Sequence, residues 1–588
     1  MGAGKSTLNG YKIQKETKNA VVATKGDDTF LLKKIDLKKI PREAHSSLLN
    51  EMEILKEISN PHIVNYKNSF IDEHDKIYYT VMDYCQGGNL AIKITQKQTE
   101  EPEILSWIAE ICLALRNIHE KGLIHKCLTP ENIFLTEFGS VCLGDFGQVY
   151  ENSKGTCATT EATMLEMSYL PPEVFTMGMY DAKSDIWSVG CILYELCTQK
   201  PAFTAETTIK LMPKLIHGPC PCLPETFSPE LCQLVIDIFN KDPHSRPTAS
   251  EILERPFIIK CLLKKFKTTV EDLQIKLDKL RNVADSLESV HKGSTIGSLT
   301  GGVIGAVGGI TSIVGLILSP FTLGASLVVT GVGVGVGTLG GLTAGTANIT
   351  NMVNQASDRK AVQSIIKDLE YNTKLVVNWV LEIDTSLQNI RSRCTSGDTL
   401  DTEQTQSNIL KLASVGRIGK GIVCLSELAR IINVIGAGKI AAQASKVLRV
   451  AEVTTGVFSA LFTAVDIFFI AMDAREIHHI RQAQAQAAGE GTASESGSET
   501  LDSTTTCDQE TLLSSSVTQE QESDASQGQD QPSRDATPVK SDIMNFVLSI
   551  RQAADNLQNV LDELQDILSS LFLTESEEDY EWMDMEST

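Results

Sequence analysis

The chain has 588 residues, 42% of them hydrophobic but only 6% aromatic, which leaves room for two or three domains and argues against one large enzyme core. Its formal net charge of -23 is concentrated at one end: from Glu490 onward, 23 Asp and Glu face only Arg534, Lys540 and Arg551. The remainder is close to neutral, and no basic stripe points to nucleic acid as a partner. The 14 cysteines are scattered, eleven of them before residue 262 and none in a C-x-x-C pair, the usage of an intracellular chain with free thiols.

Residues 1–10, MGAGKSTLNG, form an N-terminal arm without the apolar run of a secretory leader, so a cytoplasmic chain is expected. Gly2, with Ser6 behind it, fits an N-myristoylation pattern; a plain flexible arm is the alternative. The next segment, YKIQKETKNAVVATKGDD, has no glycine between Tyr11 and Lys25. An apolar strand, TFLLKKIDL, then presents Lys33 or Lys34, and a helix, LLNEMEILKEI, carries Glu51 and Glu53. Tyr78 to Leu90, YYTVMDYCQGGNL, reads as a strand running into a linker. There an apolar gate at Met82 and backbone groups from Asp83 to Cys85 would meet an adenine, and Gly87-Gly88 would open a second lobe.

The stretch His125 to Gly147, HKCLTPENIFLTEFGSVCLGDFG, sets Asn132 thirteen residues ahead of Asp145. At that spacing a protein kinase brings two magnesium ligands round one phosphate. Where that pattern has His-Arg-Asp, this chain reads His125, Lys126, Cys127, and Thr129 stands where a lysine is usual. The metal-holding groups remain, but the carboxylate that would accept a substrate hydroxyl proton does not. A thiol that is mostly protonated near neutral pH is a poor replacement. Positioned acid–base catalysis is typically worth about 10²–10⁴-fold, so no catalytic residue is assigned and little phosphoryl transfer is expected.

Downstream, ENSKGTCATTEATMLEMSYL offers Thr156, Thr159, Thr160 and Thr163 as phosphorylation candidates and ends at Pro171-Pro172-Glu173. Asp185 opens an apolar helix, and Arg246 in HSRPTA is placed to pair with Glu173 as a buried staple. Taken with PHIVNY at 61–66, VMDYCQGGNL, NIFL, KSDIWSVGCILYEL and DPHSRPTASEIL, residues 11–262 resemble a NIMA-related Ser/Thr protein kinase. The resemblance implies a two-lobed α+β fold that binds ATP and Mg. Lys33, Glu51, Asn132 and Asp145 carry over, Lys33 and Glu51 as a strand-to-helix ion pair. The absent glycines, Cys127 and Thr129 make it the resemblance of a pseudokinase, with ATP binding through Lys33 and Asp145.

Residues 263–292 place Leu273, Leu277, Leu280, Ala284 and Leu287 at 4-3 spacing, a connector helix of coiled-coil or bundle type. Between Lys292 and Asp358 lie 65 residues without a charge, two glycine-rich apolar runs hinged at Ser319-Pro320. The first, 23 residues long, would span about 35 Å as a helix, against a hydrocarbon core of roughly 30 Å. Gly301, Gly305 and Gly309, and again Gly333, Gly337, Gly341 and Gly345, offer smooth packing strips. A membrane hairpin and a buried hairpin inside a soluble bundle both satisfy this pattern. Residues 410–450 interleave six basic residues after Lys411 with apolar ones, suiting either a helix on an anionic surface or one covering a core. Val453 to Met472 is a third apolar run, broken by Asp466, a candidate pH-sensitive gate.

The hinge LSPFTLGASLVVTGVG, the basic helices and SALFTAVDIFFIAMDAREI resemble the apolipoprotein L family across 293–480, extending back to about 265 and resuming at 541–572. That resemblance implies an all-α, lipid-binding, membrane-inserting region, in some members ion-conducting. Residues 481–540 are a Ser/Thr/Gln/Glu-rich linker, 541–572 an amphipathic helix and 573–588 an acidic tail. The expectation is a pseudokinase controlling an apolipoprotein L-like effector on intracellular membranes, with lipids as partners and the 263–292 and 541–572 helices open to proteins. The alternative is a working Ser/Thr kinase anchored to membranes by its C-terminal half.

Overall fold

The computed structural model describes residues 7–146 apart from 18, 27, 41 and 97, the pairs 150–151 and 157–158, and 167–297, 344–394, 446–471 and 538–572. Gly2, the four candidate threonines, the glycine-rich hairpin, residues 410–445 of the basic segment, the linker and the acidic tail lie outside the described residues. Contacts divide the chain into two units. One holds Met1–Lys276, Asp368–Thr455 and Gln558–Thr588; the other holds Leu277–Lys367 and Gly456–Leu557.

The first unit opens with an antiparallel sheet of β1 (Thr7–Leu8), β2 (Tyr11–Glu16), β3 (Ala20–Lys25), β4 (Asp28–Asp36), β5 (Tyr66–Asp72) and β6 (Ile77–Asp83), in the order β1-β2-β3-β4-β6-β5. Strand β6, IYYTVMD, lies between β4 and β5 and is aromatic and β-branched, the composition that suits a strand covered on both faces. Tyr11, Val21, Ala23, Leu32, Tyr79 and Val81 fill one core. Helix α1 (Arg42–Glu57) packs beside β5 and buries Leu48, Met52 and Leu55, a single stripe at helical spacing.

The linker after β6 leads through α2 (Leu90–Gln96) to α3 (Glu101–Glu120), then to a hairpin of β7 (Ile133–Leu135) and β8 (Val141–Leu143). Gly87 donates to Leu135 O at 3.1 Å, and a Cβ there would sit 2.6 Å from that oxygen, so only glycine fits. The helical lobe continues with α4 (Pro172–Met177), α5 (Ala182–Thr198), α6 (Thr208–His217), α7 (Pro229–Ile238) and α8 (Ala249–Leu253). Capping boxes at Asp181/Ser184 and Thr248/Glu251 satisfy the first amides of α5 and α8.

The connector begins earlier than the sequence suggests: α9 runs unbroken from Pro256 to Gly297. Its first turns bury Ile258, Ile259, Leu262 and Phe266, so the helix is a continuation of the kinase-like core before it becomes a bundle helix. Leu273, Leu277, Leu280, Ala284 and Leu287 are all buried. In the second unit, α10 (Ala344–Cys394), α11 (Lys446–Ala471) and α12 (Pro538–Phe572) contribute their segments 344–367, 456–471 and 538–557. Phe468 stacks on Phe546 with centroids 4.3 Å apart, Arg551 reaches Asp285 at 2.6 Å and Glu288, and Gln363 Nε2 donates to Asp466 at 3.0 Å. The architecture is α+β, a two-lobed domain followed by helices.

Candidate nucleotide and metal site

Lys33 lies on β4, the strand paired to β6 through Leu31↔Met82 and Lys33↔Thr80. Neighbouring positions of a strand face opposite sides, so Lys33 and Lys34 part company. Lys33 Nζ forms an ion pair with Asp145, whose carboxylate is largely buried. Lys34 turns the other way, to Glu16 and to Thr17 O at 3.1 Å, and pins back the glycine-free turn between β2 and β3. That turn is also closed by Thr17 and Ala20, so the segment that would cover phosphates is a short, tied hairpin end.

The expected Lys33–Glu51 pair is not formed, and this corrects the sequence reading. Glu51 on α1 pairs instead with Lys126, whose Nζ stands 3.2 Å from Oε1. Lys126 sits at φ 66°, a left-handed conformation uncommon for a side-chain-bearing residue, and it is held there because its amide donates to Asp185 Oδ1 at 3.0 Å. Two cations thus compete for two carboxylates. Lys33 takes Asp145 and Lys126 takes Glu51.

Asp185 is the anchor of the loop. Fully buried at the start of α5, it accepts from the amides of His125 (2.9 Å) and Lys126, from His119 Nε2 (2.8 Å) and from Tyr180 OH (3.1 Å). Burial alone would raise its pKa, but the hydrogen bond and charge of His119, together with the backbone amide of His125, pull it below the usual carboxylate range. His125, buried against Phe146 with ring centroids 4.5 Å apart, is driven down by desolvation despite Asp185 and Asp145 and so stays neutral. Asp145 itself sits at φ 62°, its amide donating to Tyr66 OH at 3.1 Å.

Cys127 occupies the base position. Asn132 Nδ2 donates to Cys127 O at 2.8 Å and contacts its Sγ at 3.2 Å, so the amide nitrogen faces the loop. The Asn132 amide and the Asp145 carboxylate supply oxygen donors of the kind magnesium prefers, and Lys33 supplies a cation for phosphate. Among the described residues no group of three or more His, Cys, Asp or Glu could hold a metal by itself, so an ion here would need phosphate oxygens to complete its shell. The donor set fits a magnesium nucleotide.

Of the adenine-contact candidates, Met82 is fully buried and Asp83 lies 3.4 Å from Lys67. Cys85 has its thiol pushed up to about 12 by burial and then by Asp83, so it is an inert thiol. Further away, Arg246 grips Glu173 bidentately at 2.6 and 2.7 Å with both side chains buried, and Ser184 Oγ adds a third bond to that carboxylate. Sequence reasoning passed over Lys126, Tyr66, His119 and Tyr180. A signal existed for the first, since Lys126 keeps the positive charge of the arginine it replaces.

Two lobes, a strand lysine facing a buried aspartate, and a catalytic loop hung on Asp185 define a protein kinase-like domain. Residues 17–258 match the protein kinase domain family and residues 258–494 match the apolipoprotein L family. The chain is 36% identical over 243 residues to serine/threonine-protein kinase Nek1 of Mus musculus, covering 41% of this chain and 20% of that protein. It is 36% identical over 251 residues to Nek3 of Mus musculus, 41% of this chain and 48% of the relative. With Nek2 of Homo sapiens the figures are 34% over 250 residues, 40% and 56%. The chain therefore spans about half or less of the length of most relatives it matches. It is a fusion of a NIMA-related-kinase-like domain and an apolipoprotein L region.

Proposed function

We propose that the kinase-like domain is a magnesium-nucleotide-responsive control domain with little or no phosphoryl transfer, and that it governs a lipid-directed apolipoprotein L-like region in the same chain. The observation that supports this most directly is the set of partners in the site. Cys127 stands at the base position, with the Asn132 amide turned to it, and Glu51 is engaged by Lys126 rather than by the phosphate-side Lys33. The groups that hold a nucleotide are kept and the group that deprotonates a hydroxyl is not. When bound, magnesium supplies charge neutralisation at the phosphates; Asn132 and Asp145 would hold it, and Lys33 would bind the phosphates.

Support for the lipid-directed half comes from the family match at 258–494 and from α11. Among the described residues α11 is the one helix long and apolar enough to cross a membrane, with Leu448, Val453, Ile467 and Ile470 exposed along it. Vesicle lipids are accordingly the proposed partners. The test is radiolabelled phosphate transfer from ATP by the full chain, to itself and to a generic Ser/Thr substrate. Transfer no higher than that of Asp145→Asn is expected; Asp145-dependent turnover would defeat the reading in favour of a working, membrane-anchored kinase.

A further inference from the structure

Helix α10 contributes residues 368–394 to the first unit, where they lie along the kinase-like domain. The face they use is regular: Tyr371, Leu375, Trp379, Glu382, Ser386 and Asn389 follow each other at steps of three and four. Lys276 on α9 holds the start of this segment through Asp368 at 2.8 Å, and Asn389 donates to Glu254 at 3.1 Å near its end. Between them, Glu382 is buried in an ion pair with Arg116 of α3, and Tyr371 packs on Phe138 with centroids 5.1 Å apart while its hydroxyl donates to Pro61 O at 3.4 Å.

The centre of this surface is Trp379, fully buried, whose Nε1 donates to His62 Nε2 at 3.3 Å. The other His62 nitrogen bonds Val141 O at 3.2 Å. An indole N–H only donates, so Nε2 must be the acceptor and Nδ1 the protonated nitrogen, a single neutral tautomer fixed by one partner on each side. Lys265 lies 5.0 Å from the Trp379 ring centre and pairs with the buried Glu110, which in turn accepts from Val141 N at 2.8 Å. The backbone of the same turn, Asn60 to Val64, is stitched to β8, which ends just before Asp145. Leu143 N donates to His62 O and Val64 N to Leu143 O, each at 2.9 Å. Asp145 is two residues further on.

We infer that residues 368–394 are a built-in regulatory helix of the kinase-like domain, clamping the turn Asn60–Val64 and the β7–β8 hairpin through Trp379 and Tyr371 and thereby setting the position of Asp145. This deepens the proposed control function and rests on it, because it names the element through which the apolipoprotein L-like region and the nucleotide site act on each other. Linkage makes the effect reciprocal: a docked helix favours nucleotide, and bound nucleotide favours docking.

The experiment measures Mg-ATP affinity and amide hydrogen exchange at Leu143, Gly144 and Asp145 in the full chain and in its Trp379→Phe, Trp379→Ala and Tyr371→Leu variants. Trp379→Phe keeps an aromatic ring but removes the donor to His62, and it decides the matter if the alanine variant does not fold. Weaker binding by about fivefold or more, the lower end of typical coupling, together with faster exchange at those three amides, is the expected result. Unchanged affinity and exchange in all folded variants would overturn the inference. If the unaltered chain binds no Mg-ATP, the nucleotide reading fails by itself, and the exchange rates alone then decide whether the helix holds Asp145.

Discussion

At the level of single residues, the site is governed by which cation finds which carboxylate, and by histidines that are kept uncharged. His62 and His125 are both fully buried, and desolvation is the largest influence on each, lowering both below the ordinary value of 6.5. In the folded chain they resist protonation; in the unfolded chain they accept a proton as soon as pH drops through about 6.5. Their contribution is therefore fully present above that value and is lost as pH falls below it, by at most roughly 1.4 kcal/mol per pH unit for each ring. Asp185, held below the usual carboxylate range, stays ionised throughout this window and adds no proton uptake of its own. Thermal unfolding of the full chain between pH 7.5 and 5.5 should show a midpoint that declines with acid, and a shallower decline in His62→Gln. A flat profile over that range would contradict the neutral assignment of both rings. It would also remove the acceptor role of Nε2 towards Trp379.

Among elements, α5 packs closely against α7 at Gly190. A Cβ placed on Gly190 would lie 2.4 Å from Ile238 Cγ2 and 3.2 Å from the Phe239 ring, so the helices approach as they do only because that side chain is missing. Adding it forces an overpacked core, which costs typically 1–3 kcal/mol, about one methyl's worth of displacement. Gly190→Ala is expected to lower stability by that amount in denaturant unfolding, and Gly190→Ala with Ile238→Val to recover part of it; equal stability of Gly190→Ala and the unaltered chain would show that the helices slide apart freely. Elements of this kind were legible in the sequence because their signals are local. The spacing of Asn132 and Asp145, the apolar run after Asp185, and Glu173 with Arg246 each belong to a short motif whose geometry travels with it. The ion pairs of Lys33 and Glu51 were not legible, because a strand lysine and a helix glutamate suggest one pair, and the charge that Lys126 keeps does not say which carboxylate it will meet. Nor was Trp379, which meets His62 across 317 residues of chain, a separation over which composition and periodicity carry no information about contact.

On the scale of the whole molecule, the second unit shows what membrane entry would have to undo. The segment Gly456–Ala471 of α11 has an exposed side with Ile467 and Ile470 and an inward side with Phe468, which stacks on Phe546 of α12, and Asp466, which accepts from Gln363 of α10. Moving this segment into hydrocarbon exchanges those contacts for lipid and, on insertion scales, carries a cost of about 2.5–3.5 kcal/mol for the carboxylate at mid-membrane. Two single changes should therefore ease it by different routes. Phe546→Ala removes one face of the aromatic stack and weakens the packed state, since truncating a buried phenylalanine typically costs about 3–5 kcal/mol. Asp466→Asn removes the charge. Dye leakage from anionic vesicles by the full chain should rise several-fold at neutral pH with either variant. Identical leakage by all three proteins would mean that α11 is a core helix of a soluble bundle.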